Sequence, residues 1–441
     1  MPKYIVLLAQ AHETFRKPEL EALAELEGLK VDLSGHDEKK PVLVVDLENE
    51  EQARLLIKRS ILARGIYELW GFGQTWDELH EHVRKFPASK SAPYKNVSFK
   101  FDIISFQKSR STSEQRDIME SFGYMDLTGP IRMKKPDETF AVIELYNNPH
   151  VQLKSDRELE AVYLGRFIAN SQRDIIDKYD LKKRKYIGTT SFDAELALIS
   201  SNIGLAAPGK IIYDPFAGTG SFLVAASHFG ALAIGSDIDG RQIRGKKKHS
   251  ITTNYKQYGL TDFFLDVFVG DFTHNPIRPK FKLDAIICDP PYGVREGLKV
   301  LGSKNPERYA DKLPTKLENG DLSHLRPDYI PPKKPYHFDA LLDDLLDFAS
   351  VHLIDNGRLC CWMPTANEDY GERMIPQHPE LELISTCVQE FNKWSRVLLV
   401  YVRRPRTTDG ANLAFKDRRI YREQFRDKYF RGFHLTSKDD S

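Results

Sequence analysis

An apolar run, Leu283-Asp284-Ala285-Ile286-Ile287-Cys288, leads directly into Asp289-Pro290-Pro291-Tyr292 and then Gly293. The run reads as a buried strand, so a carboxylate, two prolines and a flat ring are expected at a sheet's C-terminal edge. Open α/β sheets bind their ligands at that edge. Successive prolines fix φ and remove two backbone donors, which leaves their carbonyls able to point into a cleft. Asp and Pro are also common turn residues, so the four residues alone fit an ordinary strand-to-loop turn as well. The choice depends on what other strands bring to the same edge.

A second stretch, Ile211-Ile212-Tyr213-Asp214-Pro215-Phe216-Ala217-Gly218-Thr219-Gly220-Ser221-Phe222, reads as strand, glycine turn and helix start. Two glycines remove Cβ atoms where a ligand must touch backbone. A dinucleotide site would carry a third glycine for close helix–strand packing, and Leu223 stands there instead. An anion, Asp214, precedes the turn where a pyrophosphate would otherwise be cradled. A cationic ligand without phosphates suits this turn better, and S-adenosylmethionine has a sulfonium, an ammonium and no phosphate.

Further strands repeat the arrangement. Ala231–Ile234 runs on through Gly235 and Ser236 to Asp237-Ile238-Asp239, where a carboxylate can accept ribose hydroxyls. Phe263–Val269 runs to Gly270-Asp271-Phe272, placed to meet an adenine amino group. Asp214, Asp237, Asp271 and Asp289 thus stand at successive strand ends, and four in register argue for a site rather than for four turns.

These motifs resemble, in order and over about 110 residues, the class I S-adenosylmethionine-dependent amino-methyltransferases with a [DN]-P-P-[YFW] motif. The implied fold is α/β, a Rossmann-like seven-stranded methyltransferase domain. The resemblance implies that Thr189, Thr190, Asp214, Pro215, Phe216, Gly218, Thr219, Gly220, Asp237, Ile238, Asp271, Phe272 and Asp289 hold the cofactor. It also implies that Asp289, Pro290, Pro291 and Tyr292 hold a target amine: the carboxylate and the Pro290 carbonyl accept its hydrogens, and the ring stacks on the base.

Upstream, Tyr4–Gln10, Pro41–Leu47 and Gly65–Phe72 read as strands separated by the helical spacings of Pro18–Leu26 and Glu48–Ile61. That order suits an α+β ferredoxin-like unit over 1–75. Strands at Val97–Ser105 and Thr139–Tyr146, a helix near Ser113–Phe122 and the basic turn Arg132–Lys135 resemble a THUMP RNA-binding module over 76–155. Leu159, Val162, Tyr163, Phe167 and Ile168 suggest a helical linker over 156–185. With the methyltransferase domain over 186–405, the whole resembles the catalytic-subunit family of the eukaryotic tRNA guanine-10 N2-methyltransferases. That family implies a tRNA substrate and a small zinc-binding activator subunit.

Later elements are expected as a long loop (294–335, a lid or disorder), a helix Phe338–Leu353, a strand Arg358–Met363 and a strand pair, Leu381–Glu390 with Arg396–Arg403. A flexible basic tail is expected from 406. In the class I strand order Phe263–Val269 lies at the sheet edge, where its apolar side chains would invite another chain's strand. The activator is expected there, a covering local helix being the alternative.

The 441 residues are 41% hydrophobic and 29% charged, as in a soluble globular protein. No apolar run reaches membrane-spanning length and no signal peptide is evident, so a cytoplasmic location is expected. Cys288, Cys360, Cys361 and Cys387 lack metal-ligand spacing, so core thiols are expected and no metal. Net charge is only +1, but cations cluster in Lys178–Lys185, Arg241–Lys248 and Arg403–Arg406, available for phosphate contact if they line one groove. Adenine N6 or ribosomal guanine as target, and a non-catalytic RNA-binding scaffold, are the competing readings. Asp289 argues against the protein glutamine methyltransferases, which use N-P-P-Y.

Overall fold

A computed structural model describes residues 1–147, 158–294, 297–303, 320, 322, 331–368, 371, 374–405 and 425–430. The chain divides between Asp174 and Ile175 into two compact units.

The first unit is built on one six-stranded sheet. Its strands are β1 (Lys3–Leu8), β2 (Val42–Asp46), β3 (Ala63–Gly73), β4 (Phe99–Phe106), β5 (Glu138–Tyr146) and β6 (Leu159–Asn170), in the order β2-β1-β3-β6-β5-β4. Only β4 and β5 run parallel, and the crossover between them contains the helix Thr112–Ser121, whose start is fixed by a Ser111–Glu114 capping box. Helices Glu13–Leu26 and Glu50–Ile57 cover one face, burying Leu20, Ala24, Leu56 and Ile57 against Tyr4, Val6 and Ile66.

The expected linker helix at 156–185 is corrected here: Leu159–Asn170 is a strand, paired with both β3 and β5. It joins the expected 1–75 and 76–155 modules into a single sheet. The pairing with β3 slips at Ile66/Tyr67 and at Leu69/Gly71. The apolar residues Leu159, Val162, Tyr163, Phe167 and Ile168 fall at helical spacing, but in the strand Leu159, Tyr163 and Phe167 are only partly buried. Gly165 marks the strand: a Cβ there would meet Tyr67 Cβ at 2.8 Å. The expected segment 156–185 does contain the short helix Ile175–Tyr179, which opens the second unit.

The second unit carries a seven-stranded sheet ordered β14-β15-β13-β10-β7-β8-β9. The strands are β7 (Ile211–Asp214), β8 (Leu232–Asp237), β9 (Phe264–Val269), β10 (Leu283–Cys288), β13 (Leu353–Ala366), β14 (Leu381–Glu390) and β15 (Trp394–Arg403). The ladder from β9 through β8, β7 and β10 to β13 is parallel, and β15 is antiparallel to both its neighbours. This is the class I methyltransferase order, with the late strand pair where the sequence placed it. Central strands are buried on both faces, which is why β10 (Leu-Asp-Ala-Ile-Ile-Cys) reads as a continuous apolar run. Helices Ala194–Ile203 and Ser221–His228 are buried nearly throughout, and Phe338–His352 packs Leu341, Leu345 and Leu346 on Ile286 and Leu359.

Within the expected 294–335 loop, β11 (Lys299–Leu301) and β12 (Lys333–Pro335) form a two-stranded antiparallel ribbon. Residues 304–319, 321 and 323–330 of that loop lie outside the described residues, as do 406–424 and 431–441 of the expected tail. The tail is corrected in one place, since Phe425–Phe430 is helical.

Candidate active site

Three parallel strands bring carboxylates to one edge of the sheet. β7 ends at Asp214, β8 ends at Asp237, and Asp289 follows β10. All three line a cavity of about 470 Å³, whose walls include Thr190, Ser191, Phe216, Gly218, Thr219, Ile238, Pro290, Pro291, Tyr292, Trp394 and Arg396.

The glycine turn forms the floor. Gly218 and Gly220 have φ of +50° and +83°, values that a side chain disfavours. A Cβ on Gly218 would meet no atom nearer than the Phe216 carbonyl at 3.9 Å, so backbone faces the cavity. The Gly218 N–H donates to Asp237 Oδ2 at 2.9 Å, and the Asp239 N–H to Asp237 Oδ1 at 2.7 Å. Close helix–strand packing comes from Gly235 on β8 rather than from a third glycine in the turn, because Leu223 Cδ1 stands 2.8 Å from where its Cβ would be. The Thr219 and Ser191 hydroxyls lie 2.7 Å apart and join the turn to the segment before Ala194–Ile203. Asp193 caps that helix through the Leu196 N–H at 3.0 Å.

Charge is held there at a cost. Asp214 is buried and accepts from the Phe216 N–H at 2.9 Å. Burial first, then repulsion from Asp237 and Asp289, pushes its carboxyl well above the usual range. Burial raises Asp289 to about 6, against the lowering effects of a hydrogen bond from Tyr292 and of the Arg396 charge. The Tyr292 hydroxyl donates to Asp289 Oδ1. The Arg396 charge bears on Tyr292 as well, and its Nε and Nη2 donate to Gln389 Oε1 at 3.0 and 2.6 Å. Its guanidinium lies 4.8, 5.4 and 5.5 Å from the ring centroids of Phe192, Trp362 and Phe391.

Several expected contacts fall elsewhere. Thr189, Pro215, Gly220, Asp271 and Phe272 do not line the cavity. Gly220 packs toward Ile251, and Phe272 is buried beside Phe216 with centroids 5.3 Å apart, supporting a ring that does line it. Asp271 makes contacts that the sequence does not anticipate. It sits at the end of the predicted strand, but its Oδ2 accepts from the Leu301 N–H at 2.7 Å and from Thr273 Oγ1 at 3.0 Å, and its Oδ1 accepts from the Thr273 N–H at 3.0 Å. The ribbon thus shares the carboxylate that the sequence assigns to an adenine amino group.

The residues present fit S-adenosylmethionine. Acceptor oxygens at Asp237 suit ribose hydroxyls, the Gly218 backbone allows close approach, and buried carboxylates favour a cationic ligand.

Comparison with known proteins agrees with this reading. Residues 2–173 match the Tmrp11 THUMP N-terminal domain, and residues 182–304 match an RMKL-like methyltransferase domain. A tRNA (guanine(10)-N(2))-methyltransferase of Saccharomyces cerevisiae is 49% identical, over 98% of this chain and 100% of that protein. The Schizosaccharomyces pombe protein of the same name is 39% identical, over 98% and 96%. The Homo sapiens relative is 35% identical, over 98% and 95%. The chain belongs to the tRNA (guanine(10)-N(2))-methyltransferase family.

In this methyltransferase the sequence alone did not single out Gln242, Lys299, Phe391, Trp394, Arg396 and Tyr429, which also line the cavity. One of them carried a signal. Arg396 is a cation near the start of the mostly apolar strand Trp394–Arg403, immediately after an aromatic turn, and a half-buried charge there needs partners.

Proposed function

We propose that the chain transfers a methyl group from S-adenosylmethionine to the exocyclic N2 of guanosine 10 in tRNA. The observation that carries this reading is likeness along 98% of the chain to proteins of that name, with Asp289 and the Gly218 turn in the walls of one cavity. The cofactor, when bound, supplies an electrophilic methyl group on a cationic sulfur. The protein's part is positioning. An aromatic amine's lone pair is spread into its ring; hydrogen bonds from the amino group to the Asp289 carboxylate and the Pro290 carbonyl draw it back onto nitrogen. The same acceptors stabilise the positive charge that develops there. Tyr292 is offered as the stacking ring, and Asp214, Gly218 and Asp237 as cofactor contacts. A base within a stem must first be extruded, which costs a few kcal/mol that contacts elsewhere offset.

The proposal includes a small zinc-binding activator subunit on β9 and a cytoplasmic setting. In support of the first, β9 pairs only with β8 among the described residues and leaves Leu265 and Val269 exposed. In support of the second, all four cysteines are free and buried, as suits a reducing compartment.

The test is incubation of the chain and its activator with unmodified tRNA transcript and isotope-labelled cofactor, followed by nucleoside mass mapping. N2-methylguanosine at position 10 is expected. Label on adenine N6, on another guanosine, or on no nucleoside overturns the reading.

A further inference from the structure

Outside the carboxylate cluster, the cavity mouth carries a row of rings that the proposed chemistry leaves unused. Phe391 and Trp394, at the turn between β14 and β15, stack with centroids 4.4 Å apart and planes 18° apart. Tyr429, on the helix Phe425–Phe430, meets Trp394 edge-on at 6.2 Å and 82°. Phe430 meets Tyr429 at 5.7 Å and 88°, and is 63% exposed. Phe391, Trp394 and Tyr429 all line the cavity, so the row begins inside the catalytic pocket and runs out to solvent.

The turn is braced. The Phe391 N–H donates to the Trp394 carbonyl at 2.9 Å. Asn367 bonds the Lys393 carbonyl through its N–H at 3.3 Å and accepts from the Ser395 hydroxyl at 2.7 Å. Rings fixed in this way lose little freedom when a flat ligand arrives. Lys393 lies in the same turn, Lys428 precedes Tyr429, and Arg396 lies behind Phe391. Aromatic faces interleaved with cations suit unpaired nucleotides, whose bases stack and whose phosphates are anionic.

We propose that Trp394 and Tyr429 receive the bases flanking the target nucleotide when that nucleotide enters the cavity, which makes the C-terminal helix part of the RNA-binding surface. This inference rests on the proposed activity. Extruding one nucleotide from a stem unstacks its neighbours, and the ring row offers them new stacking partners at the pocket mouth.

The experiment measures affinity and methyl transfer for unmodified tRNA transcript, and for transcripts abasic on either side of the target. The enzyme is the full chain with its activator, as wild type, Tyr429→Ala, Trp394→Ala and Tyr429→Phe. Tyr429→Ala is expected to raise KM for RNA about tenfold, the range of one lost base stack, with kcat and S-adenosylhomocysteine affinity within threefold. Tyr429→Phe should stay near wild type. An abasic flank should cost wild type about tenfold and cost Tyr429→Ala little further, a coupling that a merely structural role does not create. Independent losses, or loss of cofactor affinity in parallel with RNA affinity, overturn the inference. If losses are independent while wild type methylates guanosine 10, the ring row fails and the activity stands. If they are coupled while methyl appears elsewhere or not at all, the activity fails and the ring row stands.

Discussion

The Tyr292 hydroxyl donates to Oδ1 of Asp289, so the ring and the carboxylate of the D-P-P-Y turn hold each other. A target amine competes for that acceptor, and binding it requires Tyr292 to yield part of its bond. The bond also lowers the carboxyl pKa, which burial has raised to about 6. Only the ionised form offsets the positive charge that develops on the amine nitrogen, so kcat/KM should fall tenfold per pH unit below about 6 and level off above it. Tyr292→Phe removes the lowering hydrogen bond and should move that acid limb upward. A limb left in place in this variant would show that another group controls it.

Asp289→Ala should reduce methyl transfer by about two to three orders of magnitude, the scale on which removal of one preorganised polar group from a transition state acts. Cofactor affinity should change by less than fivefold, because Asp214, Gly218 and Asp237 remain. Single-turnover rates and calorimetric titration with S-adenosylhomocysteine separate the two effects. Retained turnover would falsify the role given to Asp289.

Arg396 reaches both members of the turn through its charge, which bears on Asp289 and on Tyr292. Arg396→Gln removes a cation that lowers the Asp289 pKa, so the acid limb should rise with a loss of about tenfold in kcat/KM at neutral pH. Arg396→Lys keeps charge but not the two-pronged grip on Gln389, and should fall between Gln and wild type. Equal acid limbs in all three proteins would remove Arg396 from the electrostatics of the site.

Asp214 predicts an exchange of stability for binding. Its folded pKa lies well above the unfolded value of 3.8, so the folded state disfavours its charged form. The penalty is absent below pH 3.8 and grows as pH rises through the unfolded and then the folded pKa. Asp214→Asn keeps an oxygen for the Phe216 N–H and loses the charge. Its melting temperature should exceed that of wild type by a few degrees at pH 7 and converge with it in acid, while cofactor affinity falls. An unchanged difference across pH would show that charge is not the cause.

Asp214, Asp237 and Asp289 were legible in the sequence because each follows an apolar run too continuous to be anything but a buried strand. Their shared edge then follows from parallel topology. Asp271 ended its strand as expected, but its partner Leu301 is 30 residues on in a stretch without periodicity, so their bond left no local signal. The strand Leu159–Asn170 was misread because its apolar residues chance to fall at helical spacing, while its pairing with β3 and β5 involves residues far away in sequence. Phe391 and Trp394 share one local turn, but Tyr429 joins them only through tertiary packing. Arg396 alone among the overlooked residues stood out, as a charge in a mostly apolar strand.

The edge strand gives the last prediction. β9 ends the seven-stranded sheet as the class I order requires, and its exposed positions include Leu265 at 42% and Val269 at 50%. Among the described residues β9 pairs only with β8, and an apolar edge of this kind invites strand addition, by the proposed activator when present and by further copies of the chain when not. A lysine at either position adds charge that both partners must bury. Leu265→Lys and Val269→Lys should therefore make the isolated chain more soluble and abolish its co-purification with the activator. Size-exclusion chromatography and pull-down measure these two effects separately. Solubility gained with the complex intact would place the activator elsewhere, and neither effect would mean that β9 is not a docking edge.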